Sequence, residues 1–161
     1  MSYTKISDKI ERVDARTKAR GEAKYVCDLT FPEMQYAYMV RSTCPRGKIL
    51  KIDVPQMPKG YRFISAEDIP EKGKNELWMI SKDWRAFAKD YVLYVGETIG
   101  LVVGPDRTVL KYLRDNIHVE YEAQEPAVTI DDGIVSKGGP MFPEKGNNVF
   151  CSLYCEKGKD M

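Results

Sequence analysis

Three glycines, Gly96, Gly100 and Gly104, punctuate the stretch YVLYVGETIGLVVGPDRTVLKYLRDNIHVEYE at residues 91 to 122. Glycines set along a β-branched run and followed by a helix-like segment can let a backbone close on a phosphate, so a nucleotide loop is the first chemistry to test. Such a loop needs free amides at a helix N-terminus, with a Lys in a GxxxxGK[ST] pattern or a close backbone approach through GxGxxG. Neither pattern is present. Pro105 has no amide hydrogen, and Asp106 puts a carboxylate where the anion would sit. Within ETIGLVVG, Ile99, Leu101 and Val103 alternate with Thr98, Gly100 and Val102, and neither set carries a charge. That pattern fits an interior strand covered on both sides, with Gly100 where another backbone or a bulky ring comes close. The glycines read as architecture.

His118 is the sole histidine, and Glu120 stands two residues on, on the same face of a strand. The pair could do acid and base work, but it needs a nucleophile or a metal that no pattern supplies, so a structural histidine is expected. Cys151 and Cys155 lie four apart in CSLYC, whereas zinc sites use CxxC pairs with two further ligands. With Cys27 and Cys44 they are too few and too scattered for a secreted disulfide scaffold, and reduced thiols are expected. EYEAQE and IDD read as a solvated strand end and a turn. On the residues alone, no catalytic, cofactor-binding or metal-ligating residue is assigned.

The elements around these residues follow from periodicity. Val109, Leu110, Leu113 and Ile117 recur at helical spacing and predict one main helix over about 106–116, with Asp106 as its N-cap and the strand IHVEYE close behind. Upstream, QYAYMVRST at 35 to 43 is aromatic and β-branched and predicts a strand. KILKIDV alternates, with Leu50, Ile52 and Val54 on an apolar face and Ile49, Lys51 and Asp53 on a more polar one. The two could pair as a hairpin across PRG at 45 to 47. GYRFISAEDIP at 60 to 70 is a third short strand running into a turn. Residues 71 to 90 are too mixed in pattern to assign, and Trp78 and Trp84 are expected to pack over an edge of the core.

At 161 residues, 43% hydrophobic and 30% charged, the chain has the length and composition of one ordinary globular domain. Lys and Arg number 25 against 24 Asp and Glu, so there is no global field to gather nucleic acid or an anionic membrane. Residues 1 to 24 interleave both signs with few apolar residues and no aromatic platform, which suggests a solvated or partner-docked arm. No apolar run approaches a membrane span, and MSYTKISDKIERVD has no signal-peptide core, so a cytoplasmic protein is expected. Residues 131 to 148 hold Gly133, Gly138, Gly139, Gly146, Pro140 and Pro143, a linker composition that should lead to something further.

Several of these segments, in order, resemble a known pattern. RVDARTKARGEAKYVCDL is similar to the entry into the α/β hammerhead domain of the molybdenum hydroxylases, the xanthine dehydrogenase and aldehyde oxidase family. MVRSTCPRGKILKID resembles that family's strand, Ser-containing turn and returning strand, and GYRFISAEDIP its segment ending in an Asp-Ile-Pro turn. YVGETIGLVVGPD, the helix and HVEYEAQEPAV resemble its glycine-led strand, helix and closing strand. The likeness covers about residues 12 to 130; it departs at the compact CPRGK turn and at Glu97, where the family often has Gln.

The resemblance implies an α+β fold of the α/β hammerhead type, a mixed sheet with the one main helix packed on it. It divides the chain into an arm at 1–24, the hammerhead at 25–130, and at 131–161 a linker with the threshold of a downstream domain. It implies hydroxylation of purines, aldehydes or N-heterocycles at a molybdopterin-held molybdenum, with electrons leaving through iron–sulfur clusters, commonly to FAD. The pterin contacts and catalytic glutamate belong to later domains, so this chain is expected to hold no cofactor and to be noncatalytic alone. It would dock the molybdopterin-binding domains or subunit and the iron–sulfur subunit, as a split subunit or as part of a longer polypeptide. The alternatives are a stand-alone module that binds a small molecule or protein and, ranked last, a small hydrolase using His118 and Glu120.

Overall fold

The computed structural model describes residues 12–70, 74–77, 84–142, 145–149 and 151–158. They fall into two units, one ending at Met34 and one beginning at Gln35. In the first, helix α1 (Ala15–Ala19) follows Asp14, whose carboxylate meets Lys18 at 2.7 Å and Arg12 at 2.5 Å. Those two cations, Lys18 foremost, hold the Asp14 carboxyl below its ordinary range. A single 3-10 turn, Val26–Asp28, is closed by the Tyr25 amide donating to the Asp28 carboxylate at 2.9 Å. No described residue of this unit is buried, and Val13, Val26 and Phe31 face solvent. The described part of this unit has no core of its own.

The second unit runs β1 (Tyr36–Arg41), β2 (Gly47–Asp53), β3 (Arg62–Ser65), β4 (Glu76–Leu77), β5 (Trp84–Arg85), β6 (Tyr91–Val92), β7 (Thr98–Gly104), α2 (Arg107–Asp115), β8 (His118–Ala123) and α3 (Ile130–Ile134). The uncharged strand β7 lies between β1 and β3, as its two apolar faces require. A Cβ on Gly100 would come within 2.6 Å of the Phe63 ring and of the Ile64 carbonyl oxygen, so this position accepts only hydrogen. At Gly104 the Tyr61 ring would be 2.1 Å away. Gly96 instead serves the turn before β7, at φ +91.

Helix α2 begins where expected. The Asp106 carboxylate accepts from the amides of Thr108 at 2.8 Å and Val109 at 2.9 Å, satisfying two of the donors that a helix start leaves open. Its apolar stripe puts Leu110 and Leu113 against β1 and β7, in a core with Val40, Val102 and Ile117. A second cluster, Cys44, Ala88, Val92 and Ile99, packs with Ile49, Ile52, Val119 and Tyr121.

Three expectations change in detail. Strands β1 and β2 form no hairpin: β1 pairs with β7, and β2 lies between β6 and β8. The chain is turned away at Ser42, whose amide donates to the Glu97 carbonyl and whose carbonyl accepts from Gly96, both at 2.8 Å. The Ser42 hydroxyl then closes the bend by donating to the Cys44 carbonyl at 2.8 Å. Pairings among the described residues are all antiparallel, in two three-stranded sheets and one short pair, so the α+β hammerhead has no single mixed sheet. On β2 the alternation is broken by a bulge: Ile49 faces Tyr121 and Lys51 faces Glu120, leaving Leu50 unpaired and exposed while Ile49 and Ile52 both turn inward. Trp84 lies opposite Leu77 with about half its surface exposed, and Trp78 is outside the described residues.

Candidate functional site

His118 and Glu120 lie on the same exposed face of β8, opposite Asp53 and Lys51 of β2. No hydrogen bond joins them among the described residues. Cys44 is buried and its thiol donates to the Arg46 carbonyl, while Cys27, Cys151 and Cys155 are exposed free thiols. Among the described residues no three His, Cys, Asp or Glu side chains converge as metal ligands. A molybdopterin does not fit the glycine-rich stretch either. Aromatic rings fill the space beside Gly100 and Gly104, and Asp106 already takes the amides that a pyrophosphate would need.

One buried charge was missed. Glu97 is only 6% exposed. Its two oxygens accept from the Arg85 guanidinium at 2.5 Å and from the Leu93 amide at 2.6 Å. Arg85 also lies over the Tyr91 ring, 4.3 Å from its centroid. The signal was available, because Glu97 is the one charge in YVLYVGETIGLVVG and a charge inside an apolar run must find a partner. The pair fastens the short strand β5 to the turn before β7.

What the unit does present is an apolar face built on its C-terminal segment. Thr129 caps α3 by accepting from the Asp132 amide at 3.1 Å, and the Asp132 carboxylate accepts from the Thr129 amide at 3.0 Å and the Val128 amide at 3.2 Å. Those hydrogen bonds, Thr129's first, hold the Asp132 carboxyl below its ordinary range. Arg46 then fixes the chain beyond, donating to the carbonyls of Gly139 at 3.0 Å and Pro140 at 3.1 Å. At Gly138, φ is +70 and a Cβ would come within 2.2 Å of the Glu125 carbonyl oxygen. The segment whose glycines and prolines suggested a linker thus carries a capped helical turn and fixed contacts with the strand unit.

Between this segment and Leu93 opens a cavity of about 620 Å³, its apolar wall made by Ile130, Ile134, Met141, Phe142 and Val149. Ile130, Ile134 and Val149 remain largely exposed, as do Val128, Val135, Leu153 and Tyr154. Contiguous apolar patches of more than a few hundred Å² are uncommon on soluble monomers. Each of these side chains that becomes buried is worth roughly 1.5–3 kcal/mol.

The family described as aldehyde oxidase and xanthine dehydrogenase, a/b hammerhead domain, matches residues 20–125. A probable xanthine dehydrogenase subunit of Bacillus subtilis is 32% identical over 71% of this chain, and this chain spans 15% of that protein. The nicotinate dehydrogenase large molybdopterin subunit of Eubacterium barkeri is 31% identical over 74% of this chain, which spans 28% of it. A CO dehydrogenase structure from Oligotropha carboxidovorans shares the fold, with a TM-score of 0.74 at 23% identity over 81% of this chain and 17% of that one. No helix among the described residues is long and apolar enough to cross a membrane. With the family's a/b hammerhead domain matched over residues 20–125, the chain belongs to the aldehyde oxidase and xanthine dehydrogenase family.

Proposed function

We propose that this chain is the noncatalytic hammerhead module of a molybdenum hydroxylase, and that it docks the molybdopterin-binding domains and the iron–sulfur subunit. The observation that carries the reading is the uncovered apolar surface around α3, which is held in shape by Arg46 but finds no cover among the described residues. Residues 1–24 serve as a second docking element, since the described part of the first unit has no core and exposes Val13. In this reading molybdopterin, the iron–sulfur clusters and FAD belong to the other parts of the assembled enzyme.

The test is assembly. The chain is mixed with separately purified molybdopterin-binding and iron–sulfur subunits from the same source and run by size exclusion. Co-elution is expected, weakened by Ile134→Asp or Val149→Asp; a chain that elutes alone refutes docking. The chain by itself should contain no molybdenum and oxidise neither a purine nor an aldehyde. Turnover by the isolated chain would contradict the assignment. A stand-alone binding module, the second reading, is favoured by the same cavity and predicts indifference to those subunits.

A further inference from the structure

A second cleft, of about 460 Å³, opens between the end of β1, the C-terminal end of α2 and the start of β8, and the docking role makes no use of it. Its lining is mixed: Ile117, Val119 and Tyr121 are apolar, and Arg41, Arg114, Asp115 and His118 are polar. Arg41 is held without being neutralised: its guanidinium donates to the Gly96 carbonyl at 2.7 Å and contacts the Met39 sulfur at 2.8 Å, and among the described residues no carboxylate pairs with it. A guanidinium has about five N–H donors, so several of Arg41's stay available in fixed orientation.

Asp115 lines the cleft itself, but it and Asp53 are each held by a cation. Asp115 accepts from Arg114 at 2.7 and 2.8 Å. Asp53, across the ladder from His118, is paired with Lys51 at 2.6 Å, and Glu120 also lies opposite Lys51. A cleft lined by a held, unneutralised fork and by aliphatic and aromatic side chains is complementary to a flat anion with an apolar body. We propose that this cleft binds a small organic carboxylate, its carboxylate set against Arg41 and its body lying on Ile117, Val119 and Tyr121. The inference does not rest on the docking role, and either can fail without the other.

His118 is the chain's only histidine, so its imidazole C–H resonances are a unique reporter in the full chain. They are followed by NMR while sodium benzoate is added at constant ionic strength, with sodium chloride and benzyl alcohol as controls. A saturable shift with benzoate and none with either control is expected. Arg41→Gln should weaken the interaction at least about tenfold, whereas Lys59→Gln, a substitution outside the cleft, should not change it. If Arg41→Gln does not fold, Arg41→Lys, which keeps the charge and loses the fork, should bind several-fold more weakly. A non-saturating shift, an equal response to benzyl alcohol or chloride, or benzoate binding indifferent to both Arg41 substitutions overturns the proposal.

Discussion

Replacing Arg85 by Met leaves the Glu97 carboxylate buried with one donor, the Leu93 amide, in place of two. Breaking a buried ion pair from one side typically costs about 3–5 kcal/mol, because the remaining charge has lost both its water and its partner. Arg85 keeps 17% of its side chain exposed against 8% for Glu97, so water can enter the vacated space and the lower end, about 3 kcal/mol, is expected. Glu97→Gln is milder. An amide offers one acceptor oxygen where two donors converge, so one hydrogen bond is lost and the cost is about 1–3 kcal/mol. The double variant Arg85→Met, Glu97→Leu removes both charges and should be more stable than Arg85→Met alone. Urea unfolding measures all three: with a slope of about 1–3 kcal/mol per molar, a loss of 3 kcal/mol moves the midpoint by roughly 1–3 M. A change below about 0.5 kcal/mol for Arg85→Met, or strict additivity in the double variant, would refute the idea that this pair fastens the fold.

Gly100→Ala should destabilise by about 1–3 kcal/mol in the same assay, because the new methyl meets the Ile64 carbonyl as well as the Phe63 ring at 2.6 Å and backbone cannot give way. Asp106→Ala removes the cap on two amides of α2 and should cost about 1 kcal/mol. Arg46→Ala frees the carbonyls of Gly139 and Pro140, so limited proteolysis should cut near residues 137 to 140 several-fold faster while the strand unit stays intact; an unchanged digestion rate would show that Arg46 does not hold the segment. The Asp132 carboxyl is depressed in the folded chain, so its contribution is present above the ordinary value of 3.8 and is lost as pH falls through the lower folded value. Amide exchange at Val128 and Thr129 should therefore show excess opening below pH 3.8 that Asp132→Asn abolishes, and a pH-independent opening in the parent chain would contradict it.

Strand β7, helix α2 and strand β8 were readable from periodicity alone, because each is long enough for its pattern to repeat and its apolar face is continuous. The partners of β1 and β2 were not. A sequence shows which residues want cover but not which distant strand provides it, and β7, buried on both faces, takes β1 from the hairpin that local spacing suggests. The bulge at Leu50 was equally hidden, since the string KILKIDV alternates well in either register. The cleft beside His118 needs Arg41 and Arg114 brought to it from other elements, and no motif carries that kind of proximity. Glu97 was readable as an oddity, although its partner Arg85 was not.

The central place of β7 has a consequence for how the chain is made. Strand β1 emerges from the ribosome with residues 36 to 41, but its partner ends at residue 104, so at roughly 5–20 residues per second β1 waits several seconds with its ladder unpaired. Strand β3 waits for the same partner, and β2 has only the two residues of β6 to pair with until β8 ends at residue 123. During translation the nascent chain therefore exposes aromatic and β-branched strands with nothing to pair them. Folding then comes as one late event when β7, α2 and β8 arrive together, and a pause in synthesis before residue 98 would hold the chain in the state most open to aggregation or chaperone capture.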